Sequence, residues 1–174
     1  MPLFKPDYYV KSFKTMDLDR LKQKGIRLLL CDIDNTLAAF DDPAASIAAR
    51  RFIWQAETAG IQVALMSNNV KKRTESFARN LGAKRVYSFS LKPFPFTFWR
   101  AMRDYRVSPK QTAILGDQLF TDLLGGKLSG IYTVLSDPVS QRERPDTSLM
   151  RFLEGFVNRN YEKRNVMKRG EYDD

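Results

Sequence analysis

Two aspartates stand two residues apart in the run Asp32-Ile33-Asp34-Asn35-Thr36-Leu37. Carboxylates at this spacing can face one ligand, so Asp32 suits a nucleophile and Asp34 a proton donor, with a metal holding the first. A polar turn uses the same residue types, but six such residues directly after an apolar run favour chemistry. Ser67 lies in Leu65-Met66-Ser67-Asn68-Asn69, where a hydroxyl beside the N–H groups of a helix start suits phosphate oxygens. Alone it reads better as an ordinary helix cap. Lys92-Pro93 offers a cation able to neutralise both a carboxylate nucleophile and a phosphoryl group, although a single lysine is usually solvated. Gly116-Asp117 through Asp122 puts two acids five residues apart, a pattern for a hard cation or for one capped helix start.

These residues follow elements that can place them together. Ile26–Ile33 is an apolar run bounded by Gly25 and Asp34 and reads as a buried strand. Further strands are expected at 61–66, 85–89, 112–115 and 131–135, with helices at 46–59, 70–81 and 95–105 and a short one ending at Leu124. Val70, Thr74, Phe77 and Leu81 share one helix face closed by Gly82, and Ile47, Phe52, Trp54 and Ala59 are apolar positions of the helix before it. Alternating strands and helices predict right-handed crossovers and a three-layer α/β domain. Ligands of such a sheet gather where the strands end, which is where Asp32, Ser67, Lys92 and Asp117 fall. The expected organisation is an N-terminal arm over 1–24, a hydrolase domain over 25–140, and a C-terminal helix with a frayed tail over 141–174. Asp17–Gln23 is a short helix candidate in the arm and 146–161 the helix of the tail.

Composition narrows the chemistry. The 174 residues contain no histidine, which excludes a Ser-His-Asp triad, an HExxH zinc site and any histidine proton shuttle. The single cysteine, Cys31, excludes an internal disulfide and reads as a buried small hydrophobe in a reducing cytoplasm. No apolar run approaches the ~20 residues needed to span a bilayer, and no signal peptide is expected at the start. The net charge of +9 suggests a polyanionic partner or a phosphorylated substrate. Residues 28–140 carry fourteen basic and ten acidic residues, and four of those acids are Asp32, Asp34, Asp117 and Asp122. Catalysis therefore rests on carboxylates, hydroxyls, lysine, arginine and metal.

The constellation is more specific than its parts. Four successive strands end in Asp-x-Asp, Ser, Lys and Asp-x4-Asp, and in that order the chain resembles the haloacid dehalogenase (HAD) superfamily over residues 26–135. The wording of Pro6-Asp7-Tyr8-Tyr9-Val10-Lys11-Ser12, Ser67-Asn68-Asn69 and Gly116-Asp117-Gln118-Leu119 is similar to the YqeG family of type IIIA HAD phosphatases.

The resemblance implies a Rossmann-like domain with a parallel five-stranded sheet whose first strand is central, strands two and three on one side and four and five on the other. It implies that Asp32 forms an aspartyl phosphate, that Asp34 serves as acid and then base, and that Ser67, Asn68 and Lys92 hold the phosphate. Mg²⁺ would be held by Asp32, the Asp34 carbonyl and Asp117, with Asp122 as ligand or just behind; Thr36 would lock the turn. The 29 residues between Leu37 and Ser67 and the 24 between Ser67 and Lys92 leave no room for a cap domain. Asp34 favours a phosphatase over a carbon–halogen hydrolase. The family also resembles the phosphatidylglycerophosphate phosphatases, which points to a phosphorylated lipid headgroup, with a soluble sugar or nucleotide phosphate as the alternative. Phe94-Pro95-Phe96 beside Lys92, with Lys71-Lys72-Arg73, Lys84-Arg85 and Arg100, Arg103, Arg106, suggests peripheral contact with the inner face of an anionic membrane. A basic nucleic-acid-binding protein with a vestigial site is disfavoured by the complete acid set. The oligomeric state stays open.

Overall fold

The computed structural model describes residues 3–140, 148–164 and 166–173. Six strands form one parallel sheet: β1 (Tyr8–Val10), β2 (Leu28–Cys31), β3 (Gln62–Met66), β4 (Val86–Tyr87), β5 (Thr112–Gly116) and β6 (Tyr132–Ser136), in the order β1-β6-β5-β2-β3-β4. Helices α1 (Leu18–Gln23), α2 (Ile47–Thr58), α3 (Lys71–Leu81), α4 (Phe96–Tyr105), α5 (Leu124–Leu128) and α6 (Ser148–Lys163) complete the described chain. The central strand is β2, as expected, with Cys31 opposite Leu65 of β3 and Leu115 of β5. Asp32, Ser67 and Asp117 therefore leave the sheet along one edge.

Both sheet faces are covered. Leu29, Cys31, Leu65 and Leu115 pack with Phe52, Ile53 and Phe77 on one side, while Leu28, Leu30, Met66 and Ile114 pack with Phe98, Ala101 and Met102 on the other. Helix α2 buries Ala49, Phe52, Ile53 and Ala56, the i, i+3, i+4, i+7 stripe, and leaves Ile47 and Trp54 exposed. Val70 likewise caps α3 in the open rather than joining Thr74, Phe77 and Leu81. No cap domain interrupts the described residues.

The sheet has six strands rather than the five expected, because the N-terminal arm supplies β1 beside β6, with Tyr8 opposite Val134. Three residues are too few to show a period. What fixes them is non-local: Asp7 Oδ2 accepts from the Thr133 N–H (2.9 Å) and hydroxyl (2.7 Å), and Oδ1 accepts from Lys127 Nζ (2.8 Å). The arm also puts Phe13, Met16 and Leu21 into the core, and Asp17 caps α1, the short helix expected there. The segment read as frayed is anchored too. The Asp173 N–H donates to the Tyr9 carbonyl (2.8 Å), the Tyr9 N–H donates to Asp173 Oδ2 (2.8 Å), and Tyr172 donates to Asp137 Oδ2 (2.6 Å). This covers the open edge of β1, which would otherwise present unpaired backbone groups. The expected start of the tail helix at 146–147 and the residues just after the boundary at 140 lie outside the described set.

Candidate active site

The core forces the acids together. Strand β2 is buried on both faces, so its first polar residue, Asp32, emerges only at the sheet edge, itself 7% exposed. Lys92 Nζ reaches into the same spot and donates to Asp32 Oδ1 (2.5 Å), Asp122 Oδ1 (2.6 Å) and the Met66 carbonyl (3.1 Å). Asp117 is fully buried, and the Thr36 hydroxyl bridges it (3.2 Å) and Asp32 Oδ2 (3.5 Å). Thr36 thus touches both acids, and Asn35 before it adopts φ 63°.

Gly116 lets this close assembly form. A Cβ there would collide with the carboxylate carbon of Asp122, so the glycine is needed for space. Asp122 Oδ2 accepts from the Gln118 N–H and the Thr121 hydroxyl, both at 3.3 Å, which leaves this acid engaged within its own turn.

Asp32, Asp117 and Asp122 each offer a carboxylate oxygen within 4.8 Å of the others. Three carboxylates against the one ammonium of Lys92 leave two negative charges in a buried site. Such an excess is costly in a low-dielectric interior. A divalent cation with oxygen ligands matches it in charge and in donor type. The electrostatics agree. Burial pushes the Asp32 carboxyl well above the usual range, Lys92 pulls it down, and the facing Asp122, Asp117 and Asp34 push it up again. Burial lowers the Lys92 ammonium, but Asp122 and Asp32 more than reverse this, so it stays charged. Burial also raises the Cys31 thiol, which keeps it protonated and inert, as its reading as a small hydrophobe requires.

Asp34 stands apart from this cluster. Its Oδ1 accepts from Arg73 Nη2 (2.7 Å) and Nε (3.1 Å), and its Oδ2 accepts from Asn69 Nδ2 (3.1 Å). Arg73 also donates to the Asp42 carbonyl (3.1 Å), tying down the chain that follows the Asp-x-Asp turn. Ser67 is buried; its hydroxyl accepts from the Asn69 N–H (3.0 Å) and keeps its proton to donate.

Asn68, expected to help hold the phosphate, has its side chain engaged within the protein. Its Oδ1 accepts from Ser90 Oγ and the Lys92 N–H, both at 2.8 Å, and its Nδ2 donates to the Lys92 carbonyl (3.1 Å). The side chain therefore clamps the loop that carries Lys92.

Known proteins resemble this chain in sequence and in fold. Residues 91–138 fit the HAD-hydrolase-like family. The chain is 33% identical over 140 residues to "Probable phosphatase YqeG" of Bacillus subtilis (strain 168), covering 80% of this chain and 81% of that protein. The chain belongs to the YqeG family of HAD phosphatases. It is also 29% identical over 148 residues to phosphatidylglycerophosphate phosphatase 1, chloroplastic/mitochondrial, of Arabidopsis thaliana, covering 80% of this chain and 42% of that longer protein. Among solved structures, the cobalt-bound deoxy-D-mannose-octulosonate 8-phosphate phosphatase of Haemophilus influenzae shares the fold, with a TM-score of 0.55, 18% identity, and 84% and 95% of the two chains covered.

Two supports of this YqeG-family site were not anticipated from the sequence. In the sequence Arg73 stands out only as part of a basic cluster, although its position six residues after Ser67 puts it on the first turn of the helix leaving the site. Glu154 of α6 is buried and accepts from the Leu119 N–H (2.7 Å), holding the turn that presents Asp117 and Asp122. A buried acid on an amphipathic helix leaves no local signal.

Proposed function

We propose that this YqeG-family phosphatase is a Mg²⁺-dependent phosphomonoester hydrolase that works through an aspartyl phosphate on Asp32. The observation that carries this reading is the convergence of Asp32, Asp117 and Asp122 on one lysine at the sheet edge. Asp32 attacks phosphorus, and the ester oxygen leaves with a proton from Asp34. Asp34 then takes a proton from water, whose oxygen attacks the phosphorus of the intermediate and frees Asp32 and inorganic phosphate. Ser67 donates its hydroxyl to a phosphoryl oxygen, and Lys92 balances charge at both the nucleophile and the transferring group. Asn68 acts on the phosphate indirectly, by fixing Lys92. Asp32, Asp117 and the Asp34 carbonyl would hold the cation, with Asp122 behind them; when bound, it neutralises charge between nucleophile and phosphate.

The substrate we assign is a phosphorylated anionic lipid headgroup of the phosphatidylglycerophosphate kind, reached by peripheral contact with an anionic membrane at the cytoplasmic face. The likeness to the Arabidopsis phosphatidylglycerophosphate phosphatase supports it, as does the net charge of +9. No described helix is long and apolar enough to cross a membrane. Phosphate release from phosphatidylglycerophosphate in vesicles, compared with soluble sugar and nucleotide phosphates, tests this assignment. Lipid turnover that chelator abolishes and Mg²⁺ restores is expected. Far faster turnover of a soluble ester would replace the lipid by that ester, and full activity in excess chelator would overturn the metal.

A further inference from the structure

The loop from Ser88 into α4 turns its large apolar side chains to solvent. Phe89, Leu91, Phe94, Phe96 and Trp99 are 57%, 65%, 60%, 66% and 50% exposed, while the interleaved Ser90, Lys92 and Phe98 are buried. Exposed apolar residues are unremarkable singly, but five within eleven positions mark a surface with a partner.

The backbone is strained to present them. Phe89 and Leu91 have φ of 46° and 54°, a left-handed conformation unfavourable for bulky side chains. Stability alone would favour glycine or asparagine at both places. The strained segment is pinned to the site: the Phe89 N–H donates to the Asn69 carbonyl (3.2 Å) and the Ser90 N–H to the Ser67 carbonyl (3.1 Å). Strain kept at a functional edge points to a role.

Charge selects the occupant. Arg100 and Arg103 follow Phe96 by four and seven residues and share its face of α4. With Arg85 they converge on a single carboxylate, Asp104, at 3.9, 3.6 and 3.3 Å, so three cations meet one anion. A cavity of about 550 Å³ that Phe89 helps to line carries Lys71, Arg85 and Arg100 against Glu75 and Asp104. Protruding aromatic and aliphatic groups backed by excess positive charge match the interfacial zone of an anionic leaflet.

We infer that this crown, Phe89 to Trp99, is a membrane-docking surface that seats its apolar side chains at the headgroup–acyl boundary of an anionic bilayer. The inference rests on the lipid-phosphate reading above. Lys92 belongs to the same loop, so docking brings Asp32 to a headgroup that never leaves the membrane.

Trp99 is a built-in reporter. The chain has two tryptophans, and Trp54→Phe on α2 leaves Trp99 alone. Its emission should shift to the blue and be quenched by brominated acyl chains in vesicles of phosphatidylglycerol and phosphatidylcholine. Added salt should reverse this, and phosphatidylcholine alone should not produce it. The double variant Phe94→Ser, Phe96→Ser should lose vesicle affinity by roughly tenfold or more, with hydrolysis of p-nitrophenyl phosphate in solution unchanged. Unaltered Trp99 emission with anionic vesicles overturns the inference, even if lipid phosphate is hydrolysed. A blue shift that follows protein concentration without vesicles overturns it too, in favour of a second copy of the chain. Insertion with turnover of soluble esters alone upholds the docking surface and removes the lipid substrate.

Discussion

At the floor of the site Lys92 holds Asp32 and Asp122, all three buried beside buried Asp117, whereas at the rim the paired Asp34 and Arg73 are partly exposed and the apolar side chains of the 89–99 crown face solvent. The floor is set by the core. Strands β2 and β5 are covered on both faces, so the acids that follow them have one place to go. The rim is set by side chains reaching between elements, such as Arg73 from α3 to Asp34. In the proposed mechanism, position of the nucleophile and charge at phosphorus belong to the floor, and proton transfer and access belong to the rim. Changes in the floor should therefore affect every ester alike, and changes in the rim should distinguish one ester from another.

The largest effect separates the two aspartates. Asp32→Asn should remove turnover of all esters, since it takes away the proposed nucleophile. Asp34→Asn should slow poor leaving groups by roughly 10²–10⁴-fold, the usual share of general acid–base catalysis. It should spare nitrophenyl phosphate in the first step, because nitrophenolate leaves without a proton. Steady-state rates check the first, and the rate of leaving-group release in a single turnover over a series of esters of graded leaving-group acidity checks the second; equal losses in that release across the series would take the acid role from Asp34.

Arg73→Ala should act in the same direction and more weakly, up to about a hundredfold, as expected when a catalytic group is left loosely placed. Its loss should also concentrate on poor leaving groups. Arg73→Lys, which cannot donate in the same forked geometry, should recover only part of the rate. A uniform loss across the ester series would place Arg73 with the floor instead.

The smallest effect lies at the sheet edge, away from both regions. Burial pushes the Asp7 carboxyl up, but its bonds from Lys127 and Thr133 outweigh this and hold it below the usual carboxylate value. A carboxyl with a lowered folded pKa stabilises above its unfolded pKa of about 3.9, and that stability disappears as pH falls through the folded value. Asp7→Asn should thus lower the urea midpoint at pH 7 without greatly changing nitrophenyl phosphate turnover. The gap from the parent protein should close below about pH 4; a gap that persists there would contradict this account of β1.

How much of this was legible in the sequence follows the same division. The floor was readable because apolar strands end in the residues that do chemistry, and the central place of β2 followed from the resemblance they carry. The rim and edge were not. Arg73 meets Asp34 across 39 positions and Glu154 meets Leu119 across 35, and no local period encodes such pairings. Strand β1 is three residues long, and it exists because β6 and Asp7 hold it. The exposure of Phe94 and Phe96 was equally hidden, since an aromatic residue in a loop can pack inward or face out.

The central claim is that Asp32 takes the phosphoryl group, and trapping it is the most direct test. Asp34→Asn protein mixed with nitrophenyl phosphate and Mg²⁺, quenched in acid and digested, should yield a peptide spanning Asp32 that carries one phosphoryl group. The same peptide from Asp32→Asn protein should carry none. A phosphoryl group on another residue, or nitrophenolate release with Asp32 never modified, would contradict the account.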